Sequence, residues 1–299
     1  MKLLITGATG FVGKTLVPFL YTNGITNICL LVRDVPKARG LFSGVPISII
    51  DTNMCCWRNQ VIDFNPDIVI HMATCFTGKS EHDVISDIID TNVKFTTYLL
   101  EAISHTTCRY FINIGTFSEY LYNDDRYFAN NLYSASKTAV RPIIQFYQTQ
   151  GNWHWINVII YSPYGRYNNQ KKVIDYLYSA LDSDAALNFT QGEQILDFIH
   201  VDDIAAFFLS LLDQIDIFNK PYCQLYLGTG VGHSIREVAS VMEKITSKKI
   251  NANWGALPYR MYDTMLAIAP TEKNILSWHA TISLEDGLAI YCQEMAKAK

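Results

Sequence analysis

The sequence contains no long apolar run, since no stretch approaches the roughly 18 consecutive apolar residues of a membrane-spanning helix. It also contains no block of basic residues, and its formal net charge is −4 with a pI near 6.0. These absences exclude a membrane span and an extended surface for nucleic acid or acidic lipid. The apolar run after Lys2 ends at Ile5, which is too short for the core of a secretory signal. We therefore expect a cytoplasmic protein with neither nucleic-acid nor membrane partners.

The sequence also lacks the cysteine and histidine spacings that are typical of metal-binding and redox-active sites. The seven cysteines are odd in number and include no C-x-x-C pair, and the adjacent Cys55 and Cys56 suit neither an ordinary disulfide nor a zinc site. Four histidines also lack the spacing of metal ligands, namely His82, His105, His233 and His279. We expect free thiols in a reducing compartment and no metal.

Short apolar runs alternate with helical patterns over the first two-thirds of the 299 residues. Strands are predicted at 2–6, 28–32, 45–51, 67–72, 110–114 and 155–161, and helices at 12–23, 85–104 and 133–150. The apolar runs are nearly continuous, as in strands that are covered on both faces. Alternation of this kind predicts parallel strands joined by right-handed helical crossovers. The expected fold class is α/β, with a doubly wound parallel Rossmann-type sheet.

The regular alternation of strands and helices ends after Pro163. Further elements are predicted as helices at 168–181, 202–212 and 234–246 and as strands at 194–200 and 224–227, with Ser234 and Glu237 forming a capping box. We expect a dinucleotide-binding domain of residues 1–165, to which 196–228 return, and a smaller interleaved α+β domain of 166–195 and 229–299. Pro142 is expected to kink the helix at 133–150 or to end its first segment.

A glycine-rich turn follows the first predicted strand and opens the first helix. It reads Gly7-Ala8-Thr9-Gly10-Phe11-Val12-Gly13. The first glycine permits a tight turn, the second lets the backbone approach a pyrophosphate, and the third allows close packing of helix on sheet. Free N–H groups at the helix start then face the phosphate charge. This context predicts a dinucleotide-binding loop.

The residue at the end of the second strand distinguishes proteins that bind NAD from proteins that bind NADP. Arg33 follows the strand there, and its guanidinium suits the 2′-phosphate of NADP(H). Asp34 would instead serve the ribose of NAD(H) if the strand ended one residue later. The placement of Arg33 favours NADP(H) as the cofactor.

Tyr133 and Lys137 lie four residues apart, hence on one face of a helix. A nearby ammonium and an oxidised nicotinamide both lower the pKa of a phenol, which makes Tyr133 a candidate proton shuttle. Lys137 can also hold the nicotinamide ribose. Thr116 follows the preceding strand and can bind a substrate carbonyl, with Ser118 as the rival for that role.

These marks together resemble the extended short-chain dehydrogenase/reductases, the NAD-dependent epimerase/dehydratase superfamily. The resemblance extends in order over nearly the whole chain, through the glycine turn, Asp51, 71–74, Asn92-Val93, Thr116, Tyr133, Lys137, Tyr164-Gly165, 197–203, 228–230 and Trp278. It implies cofactor contacts from Thr9, Phe11, Val12, Asp51, Thr52, Met72, Ala73, Thr74, Tyr161 and Pro163 besides the glycines, Arg33, Tyr133 and Lys137. It implies substrate contacts from Thr74, Thr116, Ser118 and Ser162, and a homodimer through the helices at 85–104 and 133–150.

Within that group, residues 192–198 and 228–232 resemble the synthases of CDP-paratose and CDP-abequose. The resemblance implies reduction, with NADPH, of the 4-keto group of a nucleotide-linked deoxyhexose in deoxysugar and polysaccharide biosynthesis. The nucleotide diphosphate is expected against the C-terminal part, with Arg166 and Arg236 as candidate cations, although either could be a solvated surface charge. Departures from the family pattern at Ile159, Ser162 and Leu196 concern these substrate contacts.

Three chemistries share this scaffold. A 4,6-dehydratase of the family would need an acid directly after Thr116, where this chain has Phe117, and Glu119 stands too late unless a bulge restores it. A 4-epimerase retains its NAD, which Arg33 disfavours. Simple ketone reduction needs Thr116, Tyr133, Lys137 and NADPH. A non-catalytic NADP(H) sensor is the alternative of another class, and the retained Tyr133 and Lys137 disfavour it.

Overall fold

The computed structural model describes residues 1–77, 82–166 and 170–297. The strands of the described residues are β1 Leu3–Thr6, β2 Ile28–Val32, β3 Ser48–Asp51, β4 Ile68–His71, β5 Tyr110–Thr116, β6 His154–Ile160, β7 Ser162–Tyr164, β8 Leu187–Phe189, β9 Ile195–Leu196, β10 Phe198–His200, β11 Tyr222–Leu227, β12 His233–Ser234, β13 Ala252–Trp254 and β14 Leu266–Ala267. The central sheet has seven parallel strands in the order β11-β6-β5-β4-β1-β2-β3.

Helices cover both faces of this sheet and form most of the C-terminal part. They are α1 Phe11–Thr22, α2 Val35–Leu41, α3 Trp57–Phe64, α4 His82–Ile88, α5 Thr96–Ser104, α6 Leu132–Gly151, α7 Val173–Ala180, α8 Val201–Asp213, α9 Ile235–Thr246 and α10 Leu284–Lys297. A π-helical segment, Ile89–Phe95, joins α4 to α5, and short 3₁₀ turns occupy Phe117–Glu119, Ile215–Ile217 and Thr271–Lys273. None of the helices in the described ranges has the length and apolar composition for a bilayer crossing.

The central strands are apolar throughout because each is buried on both faces. In β1, Leu3 and Ile5 pack into one core layer with α1 and α8, whereas Leu4 points into the opposite layer with α5 and α6. The strand order reverses between β1 and β4, because β2 lies on one side of β1 and β4 on the other. In an open α/β sheet, ligands bind outside the carboxyl ends of the strands at such a reversal. The doubly wound Rossmann-type fold is therefore confirmed.

A third hydrophobic cluster belongs to the C-terminal part of the chain. It is built from α7, α9 and α10, with Leu177, Val238 and Leu288 fully buried at its centre. Three small sheets lie outside the central one: β10 with β7, β12 with β9 and β14, and β13 with β8. Because this cluster is separate from the two layers on the sheet, we propose the division into 1–165 with 196–228 and 166–195 with 229–299.

Several predicted boundaries differ from the structure. The third strand begins at Ser48 rather than at residue 45, and the helix expected at 168–181 covers Val173–Ala180, with 168–169 outside the described residues. The strand expected at 194–200 is two short strands, since β9 pairs with β12 and β14 whereas β10 pairs with β7. Helix α6 does not end at Pro142 but continues to Gly151. Pro142 is exposed, and a missing hydrogen bond on the solvent side of a buried helix is tolerated.

Candidate active site

A cleft of about 1030 Å³ opens at the carboxyl ends of the central strands, beside the reversal between β1 and β4. Most of the residues predicted for a site line this cleft: Gly7, Thr9, Gly10, Phe11, Val12, Gly13, Arg33, Thr52, Met72, Ala73, Thr74, Thr116, Ser118, Tyr133, Tyr161, Ser162 and Pro163. Asp51, Lys137, Arg166 and Arg236 do not line it. Residues distant in the sequence are thus brought to one cavity.

The glycine turn after β1 has the backbone shape that a phosphate cradle requires. Gly7 has φ +70°, and a Cβ on it would lie 2.5 Å from the carbonyl carbon of Met72. A Cβ on Gly13 would overlap the carbonyl oxygen of Ala8, so helix and strand can only approach with glycine there. Gly10 caps helix α1 without a side-chain hydrogen bond, which leaves the N–H groups of the first turn facing the cleft. The turn therefore fits a dinucleotide pyrophosphate.

The end of β2 presents two cations to the cleft, Arg33 and Lys37. Asp34, the rival for the cofactor ribose, lines the cleft as well, and its carboxylate caps helix α2 by accepting a hydrogen bond of 2.9 Å from the Lys37 backbone N–H. Asp51 accepts bonds of 2.9 Å from the backbone and the amide of Asn53 and stays outside the cleft. This edge therefore offers both cations and a carboxylate to a bound cofactor.

Thr116, Ser118 and Tyr133 line the cleft that the glycine turn also lines. Thr116 ends β5, and its hydroxyl oxygen accepts a bond of 3.3 Å from the Ser118 backbone N–H, so both hydroxyls stand side by side. The Tyr133 ring packs edge-on against Phe76, with centroids 4.8 Å apart. Lys137 lies one turn further along α6 and is only 4 % exposed.

Burial dominates the proton affinity of this pair. It raises the pKa of Tyr133 well above the ordinary value, and the Glu119 carboxylate adds to the rise while a hydrogen bond from Thr74 opposes it. Burial lowers the pKa of Lys137 to about 8, with Glu119 opposing and Arg141 adding to the fall. Burial is the dominant cause of the rise, and the lowering of the Tyr133 pKa by Lys137 and an oxidised nicotinamide stays a prediction. The raised pKa keeps the Tyr133 phenol protonated at neutral pH.

Asn92 ties the cleft wall to helix α6. The π-helical segment turns its amide inward, where Asn92 Oδ1 accepts bonds from the Thr74 hydroxyl at 3.0 Å and the Cys75 backbone at 2.7 Å. Its Nδ2 donates to Ser136 Oγ at 2.9 Å. Asn92 therefore sets the position of Thr74 relative to Tyr133. The family resemblance marks Asn92, but these contacts could not be predicted from it.

Glu119 is fully buried and does not line the cleft. Its carboxylate accepts bonds from the Thr116 backbone N–H at 2.9 Å and from Arg141 Nε at 2.8 Å. No bulge turns it toward a substrate, so the one way in which Glu119 was expected to serve a dehydratase is not realised. Thr116 is the N-cap of the 3₁₀ turn that follows it, and Glu119 completes the capping box.

The two arginines expected at the nucleotide diphosphate are placed elsewhere. Arg166 forms ion pairs with Glu294 at 3.1 Å and Asp202 at 3.6 Å. Arg236 lies 4.3 Å over the Trp254 ring and donates to the Gln191 carbonyl at 2.7 Å. Arg166 thus contacts helices α8 and α10, Arg236 joins elements of the C-terminal part, and neither lines the cleft.

Lys172 is a cation of the cleft that the sequence did not reveal. It precedes α7, its ammonium lies 5.3 Å from the Phe11 ring centroid, and it donates to the Pro163 carbonyl at 3.3 Å. Burial lowers its pKa to about 8, against the opposing effect of Asp175. In the run Gln170-Lys171-Lys172 nothing distinguishes it from a solvated lysine. The fold alone places it beside the glycine turn.

A second cavity of about 220 Å³ continues from the cleft toward the C-terminal part. Phe117, Ser118, Val173 and Leu196 line both, so the two form one groove. The further lining is Asn130, Phe189, Thr190, Gln194, Ile235, Asp263 and Thr264. The groove thus extends from the dinucleotide turn, past Thr116, to a recess with aromatic and polar walls.

Comparisons with known proteins agree with this geometry. A profile of the NAD dependent epimerase/dehydratase family matches residues 3–221. CDP-abequose synthase of Yersinia pseudotuberculosis is 26 % identical over 290 residues, which are 96 % of this chain and 97 % of that protein. The dTDP-4-dehydro-6-deoxyglucose reductase of Escherichia coli is 23 % identical over 95 % of this chain and 94 % of its own length.

Solved structures share the whole architecture. UDP-glucuronic acid 4-epimerase of Bacillus cereus, in complex with UDP-glucuronic acid and NAD, superposes with a TM-score of 0.86 over the full length of both chains at 22 % identity. The UDP-glucose 4-epimerase of Thermus thermophilus in complex with NAD gives a TM-score of 0.83 at 19 % identity, again over both full lengths. At this identity the superpositions establish the fold.

Proposed function

The chain belongs to the NAD dependent epimerase/dehydratase family, and from that premise we propose that it is an NADPH-dependent reductase of a nucleotide-linked 4-keto-deoxyhexose. The nucleotide is CDP or dTDP. The relatives named as CDP-abequose synthase and dTDP-4-dehydro-6-deoxyglucose reductase support this substrate class. The product belongs to deoxysugar and polysaccharide biosynthesis.

One observation carries the choice of reaction. Thr116 and a protonated Tyr133 share a cleft with the dinucleotide turn, whereas Glu119 is fully committed to Arg141 and Thr116. Ketone reduction needs a hydroxyl to bind the carbonyl oxygen and an acid to protonate it. Elimination would need an additional acid in this turn, and the turn offers Phe117 and Ser118 to the cleft instead.

The residues divide the work as follows. The nicotinamide cofactor, when bound on the glycine turn, supplies a hydride to the sugar C4 carbon. Thr116 donates a hydrogen bond to the carbonyl oxygen as negative charge develops there, and Tyr133 gives that oxygen its proton. Lys137, whose pKa of about 8 lies near neutrality, restores the proton of Tyr133 through ordered water. Phe76 and Phe117 keep bulk water from the reacting carbon.

The nucleotide diphosphate is assigned to the groove between Thr116 and the second cavity, in place of Arg166 and Arg236. Lys172, which lies beside the glycine turn and directly precedes helix α7, is already desolvated, so its attraction to a phosphate oxygen is strong. The base then lies in the recess that Phe189 and Thr190 line. Ser162, which also lines the cleft, is assigned to the sugar.

We also propose a cytoplasmic homodimer. Apolar side chains on the helices at 85–104 and on α6 are exposed in the monomer, among them Ile89, Tyr98 and Phe146. Phe146 is 59 % exposed, which is unusual for a residue of its size on a helix otherwise packed on the sheet. Sedimentation equilibrium measures the association state.

Arg33→Asp is expected to shift the cofactor preference from NADPH to NADH. The substitution removes the guanidinium that pairs with the 2′-phosphate and supplies a carboxylate for a ribose hydroxyl. Loss of a charge-assisted bidentate contact costs about 1.5–3 kcal/mol, or about tenfold to a hundredfold in affinity for NADPH. The ratio of kcat/KM for NADPH to that for NADH measures the change.

Arg39→Asp is the matched control, because Arg39 lies on helix α2, shortly after Arg33 in the chain, but does not line the cleft. It changes the local charge by the same amount and should leave the cofactor ratio within about twofold. An unchanged ratio in Arg33→Asp would show that Arg33 does not read the 2′-phosphate.

The reaction itself is tested by mixing the protein with NADPH and freshly prepared CDP-4-keto-3,6-dideoxyhexose, with dTDP- and GDP-4-keto-6-deoxyhexose in parallel. We expect loss of the 340 nm absorbance in stoichiometric proportion to the sugar reduced. Binding of NADPH without turnover of any keto-sugar contradicts the reductase and favours a redox-neutral 4-epimerase or a sensor. Isomerisation of a UDP-hexose without net cofactor consumption identifies the epimerase.

A further inference from the structure

A buried ion pair lies directly behind the candidate active site. Glu119 is 0 % exposed and Arg141 5 % exposed, and Glu119 Oε2 accepts the 2.8 Å bond from Arg141 Nε. The same oxygen accepts a bond of 3.2 Å from the Thr138 hydroxyl, and Glu119 Oε1 accepts the 2.9 Å bond from the Thr116 backbone N–H. A fully buried ion pair of this kind is costly to desolvate and calls for a role beyond stability.

The pair connects the two segments that carry the site. Thr116 closes β5, whereas Arg141 stands one helical turn beyond Lys137 on α6. Arg141 Nη1 also donates to Gln224 Oε1 at 3.1 Å, which anchors it to the edge strand β11. The carboxylate of Glu119 thus fixes the end of β5 against α6, and Arg141 fixes α6 against the sheet.

The charges around Lys137 come from few groups. Its charge interacts with Arg141 on the same helix, with Glu119 in the 3₁₀ turn and with His71 at the end of β4, and Tyr133 lies one turn before it on α6. Burial lowers the pKa of His71 to about 3, so His71 is neutral, and Tyr133 is neutral because its pKa is raised. The proton affinity of Lys137 therefore responds chiefly to Glu119, which raises its pKa, and to Arg141, which lowers it.

Phenol side chains pack around Arg141. Tyr120, Tyr127 and Tyr222 approach it, with the Tyr127 centroid 4.9 Å from the guanidinium carbon. Burial raises the pKa of Tyr120 and raises that of Tyr222 to about 12, so both phenols are neutral at working pH. Among the described residues, Glu119 and Arg141 hence form the charged pair that acts on the ammonium of Lys137.

We propose that Glu119 and Arg141 are a positioning pair for the reduction, which holds the backbone of Thr116 against helix α6 and balances the charge beside Lys137. The inference rests on the proposed function, since it assumes that Thr116, Tyr133 and Lys137 carry the reaction. Neither residue touches the cleft, so both act through the residues that do.

The test compares two variants that remove opposite charges. Glu119→Gln keeps an acceptor for the Thr116 N–H but leaves Arg141 uncompensated, which lowers the pKa of Lys137 and of Tyr133. In a plot of kcat/KM against pH, the alkaline limb is the fall in activity at high pH. This limb should then lie at a pH about one unit lower than in the wild-type protein. Arg141→Gln leaves the carboxylate uncompensated and should move the same limb up. Shifts in the same direction, or no shift in either variant, would overturn the charge-balancing role.

Two further variants separate position from charge. Glu119→Asp keeps the charge but withdraws the carboxylate from the Thr116 N–H, so kcat should fall at least tenfold with the limb unmoved. An unaltered kcat in Glu119→Asp overturns the positioning of Thr116.

Thr138→Val is the control, since it removes one hydrogen bond to Glu119 without a change of charge and should leave the limb in place. If a single variant does not fold, the double variant Glu119→Gln/Arg141→Gln replaces it, because it removes both charges together. Its alkaline limb should lie at the same pH as in the wild-type protein. A limb at a different pH in the double variant contradicts the proposal.

Cofactor binding supplies a readout that needs no sugar substrate. NADPH affinity, measured by fluorescence titration against pH, should fall as Lys137 loses its proton, with a midpoint that moves down in Glu119→Gln and up in Arg141→Gln. A wild-type protein that binds NADPH but reduces no keto-sugar refutes the proposed function and leaves this titration to decide on the pair. Identical midpoints in all three proteins refute the charge-balancing role even if the reductase is active.

Discussion

Tyr133→Phe is expected to lower kcat by about 10²–10⁴-fold, the range that a positioned general acid contributes. The phenol lies in the cleft with Thr116 and is protonated at neutral pH because its burial disfavours the phenolate. Phenylalanine keeps the ring and its edge contact with Phe76, so the fold and the cofactor turn should be unaffected. Steady-state oxidation of NADPH measures kcat, and fluorescence titration measures the binding of NADPH.

Tyr164→Phe is the matched control for that substitution. Tyr164 also lines the cleft and is buried, but its hydroxyl has no hydrogen-bond partner among the described residues. Its removal should change kcat by less than about twofold. Full activity of Tyr133→Phe would mean that another group protonates the product, and equal losses in both variants would point to packing rather than to acid catalysis.

The sheet could be predicted because its signal is local. Continuous apolar runs such as Ile28–Val32 mark strands buried on both faces, and that strand has the predicted bounds. The chain beyond Pro163 was harder to predict, since its strands are two to six residues long and are defined by partners far apart in the sequence. The break between β9 and β10 at Asp197 depends on contacts with Thr229 and Ala269, which no periodicity encodes.

Some parts of the candidate site could likewise be predicted from the sequence, and others could not. The glycine turn and the spacing of Tyr133 and Lys137 predict their own placement, because a strand-turn-helix unit and one helical turn fix it. The sequence could not show that Arg166 pairs with Glu294, since the two residues are 128 positions apart. Glu119 was weighed only as an acid directed at a substrate, and its true partner Arg141 lies 22 residues on. Burial of such pairs is a property of the packed fold.

Asp197→Ala is expected to destabilise the protein by about 4 kcal/mol, the second of the two large effects. The side chain is fully buried, and its two oxygens accept four hydrogen bonds. Three come from backbone N–H groups, of Thr229 at 2.8 Å, Gly230 at 2.9 Å and Ala269 at 3.1 Å. Each buried donor left without an acceptor costs about 1–3 kcal/mol. Chemical denaturation followed by circular dichroism measures the free energy of unfolding.

Asp202→Asn provides the comparison, because Asp202 is 37 % exposed and its ion pair with Arg166 is long, at 3.6 Å. Its loss should cost less than about 1 kcal/mol. A cost below about 1 kcal/mol for Asp197→Ala would contradict the assigned hydrogen bonds.

The effect of Asp197→Ala should reach the active site as well as the fold. The Asp197 carbonyl accepts a bond of 2.9 Å from the Ser162 backbone N–H, and Ser162 lines the cleft. Loosening the Asp197 side chain therefore frees the wall that is assigned to the sugar, whereas none of the four hydrogen bonds to that side chain comes from the glycine turn. We expect KM for the keto-sugar to rise more than KM for NADPH in any folded fraction. Equal changes in both constants would place the disturbance in the whole sheet instead of at Ser162.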